Sequence, residues 1–149
     1  MSHPLIGQVL TQMGKLSSID IDEILVEQNA SRRRFGEIAV SWGLCDIQEL
    51  CDAWCSQAGQ ALAVDIDVIG VDPAALHWLS SDAAHAFGVI PLRAIGDQVV
   101  CAAARILDSV EMAELVRAVG RDVRLLPADA VQVAAAIRRH YPRPVEIAA

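Results

Sequence analysis

The sequence is poor in aromatic residues and contains no long apolar run. Aromatic side chains make up 4% of the 149 residues, so we expect a core built mainly from small aliphatic side chains. No apolar stretch approaches the roughly 20 residues that a membrane-spanning helix needs. Residues 1–10 also lack the basic segment and apolar core that mark a secretory signal. These absences predict a cytoplasmic globular protein of one domain or two small ones.

Basic residues are also scarce, and the formal net charge is -7. This balance argues against broad binding to nucleic acid or to an anionic membrane, and we expect neither partner. The exception is a run of three arginines, Arg32, Arg33 and Arg34. Such a short basic run is usually solvated surface, but this one leads into the second copy of a repeat.

Common catalytic and metal-binding motifs are absent. The sequence has no GxxxxGK[ST], HExxH, GxSxG or GxGxxG segment, and its four histidines show no ligand spacing. Asp65 and Asp67 are interpreted as solvated carboxylates on one face of a strand rather than as an acid–base pair. Cys51 and Cys55 lie one helical turn apart, but without a CxxC pair they are expected to be buried free thiols. We therefore predict no enzyme, no metal and no cofactor.

The most informative feature present is a tandem repeat within the first 57 residues. Leu5–Gln28 (copy one) and Arg34–Gln57 (copy two) align at an offset of 29 positions, with the five residues Asn29–Arg33 between them. Such a repeat predicts one duplicated helical unit that builds a shared surface twice. The aligned pairs include Gly7 with Gly36, Gly14 with Gly43, Val9 with Ile38, Ile21 with Leu50, and Gln28 with Gln57.

Each copy has the pattern of a helix–turn–helix unit. A short apolar segment, residues 6–13 or 35–42, runs into a glycine that suits a helix end with positive φ. A capping residue, Ser17 or Asp46, follows with an acidic residue three positions later, which resembles a capping box. Apolar spacings of three and four then predict an amphipathic helix. Four short helices are therefore expected within residues 1–60.

The pattern changes after residue 60 to that of a small α/β layer. Pro91 cannot donate to a central ladder, so its strand is expected at a sheet edge. The predicted order is strand-helix-strand-strand-helix-strand-helix, over residues 61–68, 73–87, 88–93, 98–104, 108–119, 122–126 and 128–141. We thus predict an α/β protein with a helical subdomain (1–60), a small α/β subdomain (61–141) and a flexible tail (142–149).

The repeat and its spacer resemble the MshEN domain, the N-terminal regulatory domain of type II secretion and type IV pilus assembly ATPases, which is also attached to some glycosyltransferases. That family's motif is roughly RLGxxLxxxGL[IL][TS]xxxLxxALxxQ, twice. The GVIPLR segment at residues 88–93 resembles the downstream part of the same domain. The matching residues are Gly7, Leu10, Gly14, Leu16, Ile21, Leu25 and Gln28 in copy one, and Arg34, Phe35, Gly36, Gly43, Leu44, Leu50, Ala53, Trp54 and Gln57 in copy two.

The resemblance implies a non-enzymatic regulatory module that binds cyclic di-GMP and controls an attached or partner secretion or pilus ATPase or glycosyltransferase. Arginine would contact a guanine edge or stack on the base. Glycine would admit phosphate to the backbone amides, and glutamine would both donate and accept. The implied ligand-binding residues are Ile6, Gly7, Leu10, Ile21, Leu25, Gln28, Arg32, Arg33, Arg34, Phe35, Gly36, Leu50, Trp54 and Gln57.

Two positions depart from the family motif, and they leave an alternative open. Leu5 stands where the motif has arginine, and Phe35 stands where it has leucine. Loss of a charge-assisted hydrogen bond weakens binding by about 1.5–3 kcal/mol, or roughly ten- to a hundredfold; by hypothesis, Arg32 or Arg33 compensates. In the alternative, the repeat is only a scaffold. The chain is then a docking module of a secretion or pilus system, binding an inner-membrane platform protein.

Overall fold

A computed structural model describes residues 5–57 and 63–141. In these residues the predicted mixed α/β class is confirmed, with helices preceding and flanking a three-stranded sheet. The helices are α1 (Ile6–Gln12), α2 (Ser18–Ser31), α3 (Phe35–Ser41), α4 (Ile47–Gln57), α5 (Ile66–Ile69), a 3-10 helix (Pro73–Trp78), α6 (Ser81–Phe87), α7 (Ser109–Val119) and α8 (Ala130–His140). The strands are β1 (Val89–Ile95), β2 (Gln98–Ala103) and β3 (Asp122–Pro127).

The two copies of the repeat fold as two equivalent helical hairpins, as predicted. Gly14 has a φ of 78° and Gly43 a φ of 75°, values that strain residues with a side chain. The amide after each glycine donates to a carbonyl five residues earlier, at 2.9 Å in copy one and 3.0 Å in copy two. The paired glycines therefore end α1 and α3 in the same way.

Reciprocal capping boxes begin the second helix of each copy. The amide of Asp20 donates to Ser17 Oγ at 3.2 Å, and the amide of Ser17 donates to Asp20 Oδ2 at 2.9 Å. In copy two the equivalent bonds join Asp46 and Glu49 at 2.7 and 3.0 Å. Such a cap stabilises a helix by about 1 kcal/mol. The capping residues in the sequence therefore account for the N-termini of both α2 and α4.

One hydrophobic core joins the helices to the sheet. Helix α1 packs on α4, α2 on α3, and α3 on β1. Among the described residues, all buried apolar residues except Ala75 belong to one cluster. All four cysteines are free and buried, as expected, and burial raises the pKa of Cys51 and of Cys101 to about 12. The division at residue 60 stays a prediction, because that boundary lies outside the described residues.

The sheet has the order β1-β2-β3. Strand β1 pairs antiparallel with β2, and β2 pairs parallel with β3. The predicted edge position of Pro91 is confirmed, and the β1–β2 register shifts between Pro91 and Arg93. In the described part of the chain, no helix is long and apolar enough to cross a membrane.

The predicted strand over residues 61–68 is wrong for its described part. Val64 makes a single parallel bridge to Ala128, and helix α5 then occupies Ile66–Ile69. The physical reason is Asp65, whose carboxylate accepts from the amide of Asp67 at 3.0 Å and caps the helix. Such local hydrogen bonding competes with extended backbone. Residues 61 and 62 lie outside the described residues.

The two aspartates therefore do not alternate along a strand. Instead, Gln132 of α8 donates to Asp65 at 3.0 Å and to Asp67 at 3.5 Å. These bonds tie α5 to α8, so the carboxylates serve the packing of two helices rather than acid–base chemistry.

The predicted helix over residues 73–87 is also wrong as a single element. It divides into the 3-10 helix and α6, because Leu79 is extended (φ -137°, ψ 133°). Ser80 then caps α6, its Oγ accepting from the amide of Ala83 at 3.1 Å. Helices α7 and α8 begin slightly later than predicted because Asp108 and Asp129 act as their caps. The predicted tail, 142–149, lies outside the described residues.

Candidate functional site

A cavity of about 360 Å³ lies where the two copies of the repeat meet the α/β half of the chain. Copy one contributes Leu5, Ile6, Gly7, Gln8, Ile21, Leu25 and Gln28, copy two contributes Arg34, Phe35, Gly36, Trp54 and Gln57, and the α/β half contributes Val68, Ile69 and Arg93. The wall is mainly apolar, with a few polar and cationic groups. This composition is typical of small-molecule sites.

Equivalent positions of the two copies line the cavity. The residue before each of α1 and α3, together with the first two residues of each helix, brings three pairs of positions to it. Residues three apart on α2 and on α4 bring the next pairs, because that spacing places side chains on one helix face. The equivalent pairs in the wall are Leu5 and Arg34, Ile6 and Phe35, Gly7 and Gly36, Leu25 and Trp54, and Gln28 and Gln57.

The two wall glycines allow side chains to approach the backbone closely. A Cβ on Gly36 would lie 2.8 and 2.9 Å from the two Cδ atoms of Leu50. A Cβ on Gly7 would lie 3.0 Å from Cζ of Phe35. The Phe35 ring of copy two therefore lies against the first turn of copy one, so the glycines are required for packing. Their implied contact with phosphate stays a prediction.

Arg34 is the more exposed of the two wall arginines. Its side chain is 44% exposed, and its Nε lies 3.9 Å from Oδ2 of Asp72. An exposed pair at this separation contributes about 0–1 kcal/mol. The guanidinium can therefore exchange this contact for a ligand without a large loss of stability.

Arg93 is the buried arginine of the wall, only 7% exposed. It donates to the carbonyl oxygens of Gly70 and Leu92 at 2.8 Å, and to that of Ile69 at 2.7 Å. Its Cζ lies 5.7 Å from the centroid of the Trp54 ring. Burial, with a smaller effect of the Arg34 charge, lowers the pKa of Arg93 to about 10. The group is therefore charged at neutral pH.

Ten of the fourteen residues predicted from the sequence line the cavity, and four do not. Leu10 and Leu50 are fully buried behind the wall. Arg32 ends α2 in a left-handed conformation (φ 60°), and Arg33 Nε lies 3.4 Å from Glu37 Oε1. The structure therefore does not bring the two spacer arginines to the cavity, where they were expected to compensate for Leu5.

Five wall residues were not among those predicted: Leu5, Gln8, Val68, Ile69 and Arg93. Leu5 was recognised only as a departure from the motif, while Gln8 Oε1 accepts from the Leu5 amide at 3.0 Å and caps α1. Val68 is the last residue of the segment predicted as a strand, and Ile69 follows it directly. Of these five residues, the sequence could have indicated Arg93, the last residue of GVIPLR. A charge inside an apolar strand is costly to bury, so its presence suggests a functional role.

Within residues 5–57 and 63–141, no group of three or more His, Cys, Asp or Glu side chains has the arrangement that could hold a metal ion. The cavity wall presents guanidinium, amide and aromatic groups, which together suit a flat, polar and anionic molecule.

A family model, the MshEN domain, matches residues 58–147. Two curated relatives are each 26% identical over 138 residues, namely bacteriophage adsorption protein B of Escherichia coli K12 and bacteriophage N4 adsorption protein B of Escherichia coli O157:H7. The alignments cover 93% of this chain but 18% of each relative. The chain thus spans less than a fifth of the length of these relatives.

The fold is similar to that of a solved structure, MshE with cdg. The superposition has a TM-score of 0.50 and covers 93% of this chain and 99% of that chain, at 20% sequence identity. At this identity the likeness concerns the fold.

Proposed function

The chain belongs to the MshEN domain family, and on that premise we propose that it is a regulatory module that binds cyclic di-GMP in the cavity between the two copies of its repeat. The observation that carries this proposal is the convergence of five equivalent pairs of positions on one cavity. Cyclic di-GMP contains two identical nucleotide halves, so a duplicated surface is suited to it. The structural neighbour MshE with cdg supports the same ligand.

The cavity has the size of a small-molecule site, and its wall chemistry favours a dinucleotide. Its volume of about 360 Å³ falls in the range of roughly 300–1,000 Å³ for small-molecule sites. Phe35 and Trp54 offer aromatic faces, and base–aromatic stacking contributes about 1–3 kcal/mol per base. Gln28 and Gln57, at equivalent positions, carry amides that can donate and accept. Arg34 supplies a charged fork for a guanine edge or a phosphate.

Control of a larger protein is the second part of the proposal. The curated relatives are more than five times as long as the aligned segment, which covers 18% of each. A domain without its own catalytic motif can act as a regulator when it is joined to or paired with a larger protein. Ligand binding to the domain then changes the activity of that protein. We propose that the controlled protein is a secretion or pilus ATPase or a glycosyltransferase.

Neighbouring arginines offer a matched test of the ligand site. Arg34→Ala removes the exposed arginine of the wall, whereas Arg33→Ala removes the adjacent arginine outside it. Calorimetric titration with cyclic di-GMP is expected to show at least tenfold weaker binding for Arg34→Ala, because a charge-assisted contact is lost. Arg33→Ala should bind like the wild type.

Circular dichroism of both variants controls for folding. Equal affinities for two folded variants would contradict the assignment of the site. A loss confined to Arg33→Ala would move the site to the spacer.

A further inference from the structure

Arg93 is a buried cation that has no ion-pair partner in the part of the chain that the structure describes. Among residues 5–57 and 63–141, no carboxylate lies within 4.0 Å of its guanidinium. Burial of an uncompensated charge is costly, so buried charges are normally paired. Since a neutral strand residue would avoid this cost, the charge requires an explanation beyond the stability of the sheet.

Backbone carbonyls position this guanidinium but do not neutralise it. Two of its three hydrogen bonds go to Ile69 and Gly70, at the C-terminal end of α5. Helix C-termini favour cations through partial charges only. Because a guanidinium has five N–H donors, three hydrogen bonds leave two donors for another acceptor. The side chain is therefore fixed in position, and two of its N–H donors can still bind a ligand.

The position of Arg93 gives the cavity a second positive charge. Arg93 lines the wall together with Arg34, and the like charge of Arg34 is one cause of the lowered pKa of Arg93. Asp72 and Glu37 act in the opposite direction, and Asp72 is already in contact with Arg34. Copy one adds no charge at the equivalent of Arg34, because Leu5 stands there. The cavity is thus cationic on the side of copy two and of the α/β half.

We infer that Arg93 is the second cationic anchor of the cavity and that it binds a phosphate of an anionic ligand. This inference rests on the proposed function and deepens it, since it assigns a ligand contact to the α/β half. A phosphate there would provide the full negative charge that the carbonyls of Ile69 and Gly70 lack. It would also link the repeat to β1 and α5, so that both halves of the chain take part in binding.

The first test uses Arg93→Lys, which keeps the charge but loses the planar fork. The matched control is Arg121→Lys, because Arg121 makes the same two kinds of contact as Arg93. Its Cζ lies 4.1 Å from the centroid of the Trp78 ring, and its guanidinium donates to the carbonyl oxygen of Gly96. Calorimetric titration with cyclic di-GMP should show about tenfold weaker binding for Arg93→Lys only. Thermal unfolding of both variants monitors folding.

A second measurement needs no substitution. In the wild-type chain, the ¹⁵N NMR resonance of the Arg93 Nε–H group should shift as cyclic di-GMP is added, while that of Arg121 should not. An arginine with a purely structural role would contribute to stability, but its resonance would not shift when ligand is added. The measurement therefore distinguishes a structural role from a phosphate contact. An unmoved Arg93 resonance at saturation, or wild-type affinity in Arg93→Lys, would overturn the inference and leave the proposed function intact.

Failure of the proposed function gives a different result. If cyclic di-GMP does not bind to the wild type, the same resonance is followed with the linear dinucleotide pGpG and with inorganic pyrophosphate. A selective shift of Arg93 with either anion would support its role as a phosphate anchor. No shift with any of the three anions would overturn that role as well.

Discussion

The two copies of the repeat share a backbone but differ in what they bring to the cavity. Leu5 (φ -69°, ψ 151°) and Arg34 (φ -71°, ψ 146°) precede α1 and α3 in nearly the same conformation. Yet Leu5 is an apolar side chain that is 71% exposed, whereas Arg34 carries a charge. The duplicated motif therefore conserves the hairpin and its capping, while the charge lies in one copy only.

Burial differs between the copies as well. Helix α4 buries six residues against the rest of the molecule, whereas α2 buries only Ile24. Helix α4 thus packs more deeply in the core than α2, whereas α1 and α3 each bury three residues. We conclude that equivalent substitutions should have unequal effects. Two comparisons of equivalent positions test this, and two further variants test the charges of the copies.

The largest difference is expected for the pair Trp54 and Leu25. Trp54 is 4% exposed and Leu25 is 45% exposed. Trp54→Ala should lower the free energy of unfolding by about 3–5 kcal/mol, because it leaves a large buried void. Leu25→Ala should lower it by about 1 kcal/mol, since half of the side chain is already in water. Urea unfolding measures both values, and equal losses would contradict the difference in burial.

The wall glycines should show the next largest difference. Gly36→Ala brings a Cβ to 2.8 and 2.9 Å from the two Cδ atoms of Leu50, which is fully buried, so a loss of about 1–3 kcal/mol is expected. Gly7→Ala meets only the far end of the partly exposed Phe35 ring, and its loss should stay below about 1 kcal/mol. Urea unfolding of the two single variants decides, and a greater loss for Gly7→Ala would show that copy one is the more tightly packed.

Leu5→Arg should make the copies more alike and tighten binding of cyclic di-GMP about tenfold. The substitution restores the motif arginine at a wall position, and a charge-assisted contact contributes about 1.5 kcal/mol or more. Calorimetric titration measures the change, with Arg32→Leu as a control outside the wall. Weaker binding in Leu5→Arg would mean that copy one does not face the ligand.

The smallest effect concerns the ion pair between Lys15 of copy one and Glu49 of copy two. The hydrogen bond from Lys15 lowers the pKa of Glu49 below its usual 4.5. Stability from this pair is therefore present above about pH 4.5 and is lost as the pH falls through the lowered value. Glu49→Gln retains a capping side chain but not the charge.

Urea unfolding between about pH 6 and about pH 3 tests that ion pair. The wild type should be slightly more stable than Glu49→Gln at the higher pH, and the difference should close at the lower pH. A difference that is constant with pH would contradict a role for the ion pair.

The sequence predicts those parts of the structure that depend on local interactions. The turn glycines, the capping residues Ser17 and Asp46 and the edge position of Pro91 each act through neighbouring backbone, so their patterns predict the observed elements. The strand predicted near Asp65 was wrong, because one aspartate cap decides between two short conformations. In so short a segment, the periodicity of apolar residues does not distinguish a strand from a helix.

The candidate site could be predicted only where the repeat itself encodes it. Trp54 and Gln57 follow from the motif spacing, because residues three apart share a helix face. Arg93 and Ile69 reach the cavity from the α/β half through long-range packing. The charge inside an apolar strand marks Arg93 as unusual, but no local pattern indicates which part of the molecule either residue contacts. The spacer arginines, Arg32 and Arg33, are expected at the cavity only because they adjoin Arg34 in the sequence. Adjacency in sequence does not determine the direction that side chains take after the end of a helix.

The central claim is that the cavity between the copies binds cyclic di-GMP, and calorimetric titration of the wild-type chain tests it most directly. Cyclic di-GMP and, separately, GTP would be titrated into the purified protein. We expect saturable binding of the cyclic dinucleotide with low-micromolar or tighter affinity and no comparable binding of GTP. No heat with cyclic di-GMP, together with unshifted NMR resonances of the wall residues, would contradict the claim and leave the repeat as a scaffold.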